Sequence, residues 1–291
     1  MIQDINQTNC NEIFSSDPDL QKVYMAILEA CEEITVHIRY NTSNKIAATN
    51  DFGDHQLDMD VQIDSILFDA LKASGVVYSA SSEERPYEIV LNDTGKFIVT
   101  FDPLDGSSII DCNLAIGTIV GIWKKTEVVG MTPRRDMVGA CLSCYGSRTN
   151  IILYNDITCS VDEMTLIKEE VDHPDTWFMS NKDMKIRPKG RFYSPGNAKT
   201  MKYSKGYRDC IEYWAKNGYE LRYSGGMAPD CFHVFMKGEG IFTSVSKPGK
   251  VKPKLRFLYE VSPIAFLCEM AGGASSDGMM SILDVQCTGY D

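Results

Sequence analysis

The segment FDPLDGSSIID at residues 101–111 constrains the fold and chemistry of this chain more than any other. It follows an apolar run typical of a buried strand and presents two carboxylates, Asp102 and Asp105, three residues apart. Carboxylates are hard oxygen ligands for Mg²⁺ or Mn²⁺. The glycine and two serines that follow, at 106–108, favour a turn whose backbone N–H groups and hydroxyls bind an anion. The segment therefore predicts metal ligands beside a phosphate-binding turn, with an ordinary aspartate turn as the structural alternative.

Acidic residues elsewhere strengthen the metal interpretation, because they lie after apolar runs or at the start of a predicted helix. They are Glu83, Glu84 and Glu260 after apolar runs, and Asp54, Asp58 and Asp60 before the helix. Alone, each group has a common structural explanation, either a solvated loop or a favourable charge at a helix N-terminus. Converging carboxylates repel one another unless a cation separates them, so together they predict a divalent-cation site.

A basic segment, SKPGKVKPKLRF at residues 246–257, leads directly to Glu260. One interpretation is a solvated hairpin with a charged face. The other is that Lys254 or Arg256 binds a phosphate group, since both side chains form charge-assisted hydrogen bonds with phosphate oxygens.

The composition excludes several classes of protein. The chain has 291 residues and a net charge of −11, which argues against nucleic acid or an anionic membrane as the main partner. No apolar stretch is long enough to span a bilayer, and the N-terminus lacks the features of a signal peptide. We therefore expect a cytoplasmic protein, or a plastid one if a targeting peptide has been removed. The ten cysteines, including the closely spaced Cys141 and Cys144, are expected to be reduced thiols, mostly in the core.

Hydrophobic periodicity predicts a mixture of helices and short strands. Apolar residues recur at helical spacing from Leu20 to Ile38, and a second helix is predicted at 60–72. Residues 41–53 are polar and are predicted to form a loop. The other predicted elements are strands at 96–101, 118–123, 138–145, 150–153, 240–244 and 255–259, and helices at 209–217 and 264–270.

Six segments occur in the order, and near the spacing, of the fructose-1,6-bisphosphatase family: GDHQLDMD, SSEE, FDPLDGSSIID, LRYSGGMAPD, KLRFLYE and AGGASSDG. The chain resembles that family from about Leu20 to its end. The D-P-L-D-G-S motif alone is shared with inositol monophosphatase relatives, but its combination with SSEE and KLRFLYE is more specific. The resemblance implies an α/β (α+β) fold of layered α-β-α-β-α type, with two mixed sheets between helices. It also implies a homodimer or homotetramer, and a further strand and helix after Asp291.

The resemblance also implies roles for individual residues. Two or three Mg²⁺ ions, with Mn²⁺ as the alternative, would be bound by Glu83, Asp102, Asp105, Glu260 and the carbonyl of Leu104. The catalytic acids that position and deprotonate the attacking water would be Asp54, Asp60 and Glu84. The substrate-binding residues would be Gly106, Ser107, Ser108, Asn197, Arg222, Tyr223, Gly225, Met227, Lys254 and Arg256. We accordingly divide the chain into an N-terminal half with the metal-binding acids, 1–178, and a C-terminal half with the sugar-phosphate-binding residues, 179–291.

Departures from the fructose bisphosphatase pattern favour the members that act on sedoheptulose 1,7-bisphosphate. Ile109 stands where fructose bisphosphatases usually have Asn, and Ser244 where they have a phosphate-binding Tyr. The segment YSPGNAK at 193–199 lacks the match to a second such Tyr, which leaves room for a longer sugar. We therefore predict Mg²⁺-dependent hydrolysis of the 1-phosphate of sedoheptulose 1,7-bisphosphate. Fructose-1,6-bisphosphatase or dual specificity is the alternative, and an inactive sugar-phosphate-binding protein is a remote one.

Overall fold

The computed structural model describes residues 12–40, 45–49, 55–167, 176–246 and 254–290, with backbone alone for 45–49 and 55–57. Two groups of predicted site residues lie outside this part of the chain: Asp54, and the lysines at 247, 250 and 252 of the basic segment. No helix in the described ranges is long and apolar enough to cross a membrane.

The described residues form six α-helices and four short helical turns. The α-helices are α1 (Pro18–Tyr40), α2 (Asp58–Ala73), α3 (Pro133–Asp136), α4 (Lys205–Lys216), α5 (Met227–Lys237) and α6 (Ser262–Met270). The turns are 3₁₀ helices at Ser107–Cys112, Ala198–Lys202 and Ile282–Asp284, and a π-helical turn at Phe257–Val261. The predicted helices at 20–38, 60–72, 209–217 and 264–270 are confirmed. Proline stands in the first turn of both α1 and α6, where its missing N–H is not needed.

The strands form one large sheet and two small ones. They are β1 (Lys45–Thr49), β2 (His55–Leu57), β3 (Val77–Ser82), β4 (Ile89–Val90), β5 (Phe97–Asp105), β6 (Ile116–Lys124), β7 (Met137–Tyr145), β8 (Thr149–Asn155), β9 (Ser160–Ile167), β10 (Thr176–Asn181), β11 (Phe192–Gly196), β12 (Glu220–Leu221) and β13 (Ile241–Ser244). The large sheet has the order β10-β9-β8-β7-β6-β5-β3-β4. It is mixed, because β3 and β5 run parallel while their neighbours run antiparallel.

The two faces of the large sheet pack against different helices. Val99 and Phe101 of β5 share a buried core with α1 and α2, whereas Ile98 belongs to the core that contains α5 and α6. This alternation follows from the pleat of a strand, which points successive side chains to opposite faces. The large sheet is therefore covered by helices on both sides.

The small sheet β12-β11-β13 continues the layering beyond α5. Phe192 of β11 contacts His233 of α5, with ring centroids 5.0 Å apart. The next residue, Tyr193, points the other way and meets Trp214 of α4 at 5.6 Å. The order of layers is α1 and α2, large sheet, α5 and α6, small sheet, α4, which confirms the predicted α-β-α-β-α fold. The three strands of the small sheet are all parallel, whereas we expected a mixed sheet.

Three local predictions are wrong. The apolar run 255–259 is not a strand, since 257–261 forms the π-helical turn. Short apolar runs do not distinguish buried strand from buried helix, and here Leu258 is held by a hydrogen bond from β5. The polar segment 41–53 contains β1, which pairs with β2, so strand pairing overrides its polar composition. The strand predicted to end at residue 101 continues to Asp105.

The cysteines agree with the prediction of reduced thiols. Cys141 and Cys144 are buried in β7, and each of the nine cysteines in the described residues is free. Burial raises the pKa of the Cys144 thiol to about 12, which keeps it protonated and unreactive.

Candidate active site

Three carboxylates converge where β3 and β5 end. Glu83 follows β3 directly, Asp102 lies in β5 and Glu260 lies in the π-helical turn. Because β3 and β5 are parallel neighbours, with Ser82 paired to Phe101, the residues after this pair, Glu83 and Asp102, lie side by side. One carboxylate oxygen of each acid lies within 4.8 Å of one oxygen of each of the others. Asp102 and Glu260 are buried, and the Glu83 side chain is 19% exposed.

Asp105 joins this group from the end of β5. Its carboxylate Oδ2 accepts a 2.6 Å hydrogen bond from the N–H of Ala228, in the first turn of α5. Gly117, which pairs with Asp105, allows this approach, since a Cβ there would lie 2.5 Å from the Ala228 Cβ. An acid at the N-terminus of a helix is favoured by the free N–H groups of the first turn. The helix therefore fixes the direction of this carboxylate.

Burial raises the pKa of all four acids, and nearby carboxylates raise it further. Burial raises the pKa of Glu83 to about 7, although Arg256 opposes this, and that of Asp105 to about 6, although the Ala228 N–H opposes it. The pKa values of Asp102 and Glu260 are raised well above their ordinary range, first by burial and then by the neighbouring carboxylates. A bound cation would remove this penalty.

The donors in this group fit a hard divalent cation. They are carboxylate oxygens from three separate segments, and they are drawn together against their own repulsion. The cation nearest to them in the described residues is Arg256, whose Nε lies 3.9 Å from Glu83 Oε1, too far for a close ion pair to satisfy the whole group. The buried triad could therefore hold a metal ion.

The predicted phosphate-binding turn follows Asp105 without a break. Gly106 has a φ of 92°, a left-handed conformation that favours glycine, and it precedes the 3₁₀ helix at Ser107–Cys112. Ser107 is half-buried and Ser108 is exposed. The backbone amides and hydroxyls of this turn thus lie at the solvent edge of the buried acid group.

The two predicted catalytic acids among the described residues, Asp60 and Glu84, are not part of the triad. Asp60 is buried in the first turn of α2, and Glu84 follows Glu83. Glu84 acts electrostatically on both Glu83 and Asp64. Asp64 forms a 2.7 Å ion pair with Arg85, and burial raises its pKa to about 6. The predicted partner Asp54 lies outside the described residues.

The residues predicted to bind the sugar are spread over the small sheet and its loops. Asn197 has a left-handed backbone with φ 51°, and its Nδ2 donates a 2.8 Å hydrogen bond to the carbonyl of Val245. Arg222 is half exposed, forms a 2.7 Å ion pair with Glu220 and lies over the ring of Phe192. Tyr223 is also half exposed.

The loop at 224–226 connects this sugar side to the phosphate turn. Gly225 has a φ of 113°, and a Cβ there would lie 3.1 Å from Ile109 Cγ2. Asp230 of α5 holds the loop, because its Oδ1 accepts a 2.8 Å hydrogen bond from Ser224 N–H. Met227 begins α5 and is buried. The structure therefore brings Gly225 next to Ile109 of the phosphate turn, and the Met227 N–H next to Asp105.

Lys254 and Arg256, the two basic residues predicted to bind phosphate, differ in their exposure to solvent. Lys254 is exposed and lowers the pKa of Asp105, so it lies on the acid side of the site. Arg256 is 8% exposed, and its Nη1 donates a 2.7 Å hydrogen bond to the carbonyl of Lys254. Leu104 is buried, and its N–H donates to Asp102 Oδ1 at 3.0 Å. The backbone N–H of Arg256 donates a hydrogen bond to Glu260 Oε2, so Arg256 contacts the acid group through its main chain.

Sequence reasoning missed Gly117 and Asp230. Gly117 directly precedes the strand predicted at 118–123 and lies inside the observed β6, where an isolated glycine indicates a close approach of another backbone. That signal could have identified it. Asp230 ends the SGGMAPD segment, and its part in holding Ser224 needs the fold of the loop to be known.

Comparisons with known proteins identify the family of this chain. The family profile described as "Fructose-1-6-bisphosphatase, N-terminal domain" matches residues 4–173, and "Fructose-1-6-bisphosphatase, C-terminal domain" matches residues 186–291. The chain is 38% identical over 282 residues to chloroplastic sedoheptulose-1,7-bisphosphatase from Spinacia oleracea, which covers 95% of this chain and 70% of that protein. It is also 38% identical, over 267 residues, to the class 1 fructose-1,6-bisphosphatase of Trichlorobacter lovleyi, covering 91% of this chain and 82% of that one.

A solved structure extends the agreement to the whole fold. The crystal structure of a putative sedoheptulose-1,7-bisphosphatase from Toxoplasma gondii superposes with a TM-score of 0.86 at 30% identity. The match covers 96% of this chain and 89% of that one. Members of the matching family are metal-dependent, as the buried acids indicate. The chain belongs to the fructose-1,6-bisphosphatase family and is accordingly a sugar bisphosphatase, a phosphoric monoester hydrolase.

Proposed function

We propose that this chain hydrolyses the 1-phosphate of sedoheptulose 1,7-bisphosphate to give sedoheptulose 7-phosphate and inorganic phosphate. The observation that carries the proposal is the converging carboxylate group of Glu83, Asp102 and Glu260. Asp105 links this group to the phosphate-binding turn that starts at Gly106. Metal-assisted phosphoryl hydrolysis needs such an arrangement, with hard oxygen ligands next to anion-binding N–H groups.

The acids would hold two or three Mg²⁺ ions, with the carbonyl of Leu104 as a further oxygen ligand. When bound, Mg²⁺ supplies charge that polarises the phosphoryl group and lowers the pKa of a bound water. The chain contributes by keeping Asp102, Asp105 and Glu260 buried, hydrogen-bonded and fixed in direction. Arg256 adds a positive charge at the edge of the group, 3.9 Å from Glu83.

The backbone of the 106–108 turn binds the reacting phosphate in this proposal. The left-handed Gly106 reverses the chain directly after Asp105, so that the following N–H groups and the hydroxyls of Ser107 and Ser108 lie next to the acids. Preorganised donors of this kind favour the charge on the non-bridging oxygens in the transition state. The exposed Lys254 adds positive charge on the same side.

Asp60 and Glu84, together with Asp54, orient the attacking water and accept its proton. Asp60 is fixed by its place in α2, which packs against β3 and β5. Glu84 is next to the metal-binding Glu83 in the chain and acts electrostatically on it.

The far end of the site supports a longer sugar. Tyr193, the aromatic residue of the YSPGNAK segment, is 7% exposed and packs against Trp214. Ser244 pairs with Gly196 in the small sheet, so two small residues lie beside Asn197. The half-exposed Arg222 and Tyr223 would bind the 7-phosphate.

Fructose 1,6-bisphosphate is the second candidate substrate. It is favoured by the 38% identity to the class 1 fructose-1,6-bisphosphatase of Trichlorobacter lovleyi, which equals the identity to the spinach protein. The same acids would serve both reactions, because the reacting phosphate is the same. The two substrates differ in the length of the sugar between the phosphates.

Phosphate release from the two sugars, measured side by side with Mg²⁺, tests the proposal. We expect kcat/KM for sedoheptulose 1,7-bisphosphate to exceed that for fructose 1,6-bisphosphate by about tenfold or more, the discrimination that pocket size can supply. A higher value for the fructose compound would overturn the choice of substrate. Binding of both sugars without release would instead favour the inactive sugar-phosphate-binding alternative.

We also propose that the chain acts as a homodimer or homotetramer in the cytoplasm. Arg222 is half exposed next to Glu220, at an edge of the small sheet where a second subunit could approach. Light scattering of the purified chain is expected to give two or four times its mass. A monomer that retains full activity would contradict the oligomer.

A further inference from the structure

The spacing of Asp102 and Asp105 does not by itself bring them together. Successive side chains of a strand point to opposite faces, so residues three apart should diverge. In β5, however, Asp102 pairs with Ile119 of β6 and Asp105 pairs with Gly117. Three steps along β5 therefore oppose two steps along β6, which is a β-bulge with one extra residue. The bulge changes the facing of Asp105, which acts electrostatically on Glu83, Asp102 and Glu260.

The bulge is held by a side chain of the neighbouring strand. Pro103 has no N–H to give to the ladder, and its carbonyl accepts a 2.8 Å hydrogen bond from Thr118 Oγ1. Thr118 is completely buried in β6. An unsatisfied carbonyl at this place would be costly, so the hydroxyl fixes the backbone between the two aspartates.

A second buried hydroxyl orients the first. Thr118 Oγ1 has one proton, which goes to the Pro103 carbonyl, because a carbonyl can only accept. The hydroxyl of Tyr145 lies 2.8 Å from Thr118 Oγ1 and is therefore its donor. Tyr145 is buried, and its oxygen lies 3.4 Å from the thiol of Cys31. The hydrogen bond to the bulge thus has a fixed direction.

The same pattern of hydrogen bonds, through a buried threonine, occurs next to Glu260. Thr100 of β5, also completely buried, donates a 2.9 Å hydrogen bond to the carbonyl of Leu258 in the π-helical turn. The indole Nε1 of Trp123 donates in turn to Thr100 Oγ1 at 2.9 Å. Gly121 leaves space for this bond, since a Cβ there would lie 3.1 Å from both of its atoms.

We propose that Thr118 and Thr100 are positioning residues that hold the metal-binding carboxylates of Asp102, Asp105 and Glu260 in one arrangement. Each threonine accepts from a buried aromatic donor and donates to a carbonyl in an acid-bearing segment. Valine has nearly the same shape as threonine and would fill the same space in this apolar sheet. Packing alone therefore does not require threonine here, and what the threonine hydroxyl adds is its hydrogen bonds. This inference rests on the proposed function, because it takes these acids to be metal ligands.

The affinity of the chelator-treated full chain for Mn²⁺, measured without substrate, tests the inference independently of phosphatase activity. We expect Thr118→Val and Thr100→Val to bind Mn²⁺ about tenfold or more weakly, as loss of groups that orient metal ligands typically does. Thr118→Ser keeps the hydroxyl and should bind within about threefold of the wild-type chain. Free Mn²⁺ can be measured by electron paramagnetic resonance.

Thr165→Val is the matched control. Thr165 is buried in β9, four strands from β5, and bonds to Asn150 and Ser180. The Thr165→Val variant should lower the melting temperature, as Thr118→Val does, but it should leave the affinity for Mn²⁺ unchanged. If Thr118→Val does not fold, Thr100→Val and Tyr145→Phe carry the same test, with about threefold weaker binding expected for Tyr145→Phe.

Two outcomes separate this inference from the proposed function. The inference would be overturned if Thr118→Val and Thr100→Val bind Mn²⁺ as tightly as Thr165→Val does. This holds even if the wild-type chain is an active phosphatase. A wild-type chain that binds Mn²⁺ but releases no phosphate from either sugar would overturn the proposed function, while a selective loss of Mn²⁺ binding in Thr118→Val would still support the inference.

Discussion

Asp102, Asp105 and Glu260 lie buried against hydrogen-bonded main chain, whereas Ser108, Arg222 and Tyr223, which are expected to hold the phosphates of the sugar, are exposed. The buried acids are fixed from several sides, by a helix N-terminus, a β-bulge and neighbouring hydroxyls. The exposed residues have few such constraints. Substitutions in the buried region should therefore lower kcat strongly. Substitutions among the exposed residues should change the relative kcat/KM of the two sugars by small factors.

Asp105→Asn should have the largest effect. It removes a charge from the acid group while keeping nearly the same shape, and we expect kcat to fall about a thousandfold, corresponding to about 4 kcal/mol. Asp69→Asn makes the same chemical change at an exposed position of α2 and should leave kcat unchanged. Near-normal phosphate release by Asp105→Asn would remove this acid from the site.

Gly117→Ala should have the next largest effect. The added Cβ would lie 2.4 Å from the carbonyl oxygen of Ser143 and 2.5 Å from the Ala228 Cβ, so α5 must move away from Asp105. We expect the free energy of unfolding to fall by about 1–3 kcal/mol and kcat to fall about tenfold. Gly206→Ala in α4 meets nothing within 4 Å and should do neither. Equal activity of the two variants would show that the position of α5 does not matter.

The pH dependence of stability should also report on the buried acids. Burial raises the pKa of Glu83 from 4.5 to about 7, so the metal-free folded chain holds a proton there that the unfolded chain has lost. Its contribution to stability is present below pH 4.5 and is lost as the pH rises to about 7, a change of about 3 kcal/mol.

The difference in unfolding free energy between the wild-type chain and Glu83→Gln isolates this effect. In a chelator, the wild-type chain should lose stability relative to the variant between pH 5 and pH 8, and Mg²⁺ should restore it at pH 8. A difference that grows in favour of the wild-type chain over this range, without metal, would contradict the raised pKa of Glu83.

Ile109→Asn should have the smallest effect. Ile109 lies against the loop of Gly225 at the outer side of the phosphate turn, and it does not contact the acid group through any described hydrogen bond. We expect the ratio of kcat/KM for the two sugars to shift toward fructose 1,6-bisphosphate by less than about tenfold. Leu114→Asn, at an exposed position after the same turn, should leave the ratio unchanged. A large fall in kcat on both sugars would mean that Ile109 supports the acids instead.

The positions of the buried acids could be predicted from the sequence better than those of the exposed residues on the sugar side. Asp102 and Asp105 stand in a local motif, and the strand before them has a plain apolar pattern, so their place at the end of β5 could be anticipated. Glu260 was expected to follow a strand, and it lies in a π-helical turn because a hydrogen bond from Thr100 holds Leu258. Its proximity to Asp102 therefore has a different cause from the one that the sequence indicated.

The bulge in β5 and the contacts of Gly117 could not be predicted from local sequence. Both depend on the pairing of β5 with β6 and on the seating of α5, which are decided by long-range packing. Arg222 and Asn197 were placed from the resemblance alone, and their roles stay predictions, as does the division of the chain at residue 178.

Mg²⁺-dependent phosphate release tests the central claim most directly. Sedoheptulose 1,7-bisphosphate would be given to the chelator-treated chain while Mg²⁺ is titrated in. The buried carboxylates around Asp102 predict no release without the metal and a rise to full activity as Mg²⁺ is added. Equal release in the chelator and in saturating Mg²⁺ would contradict the account.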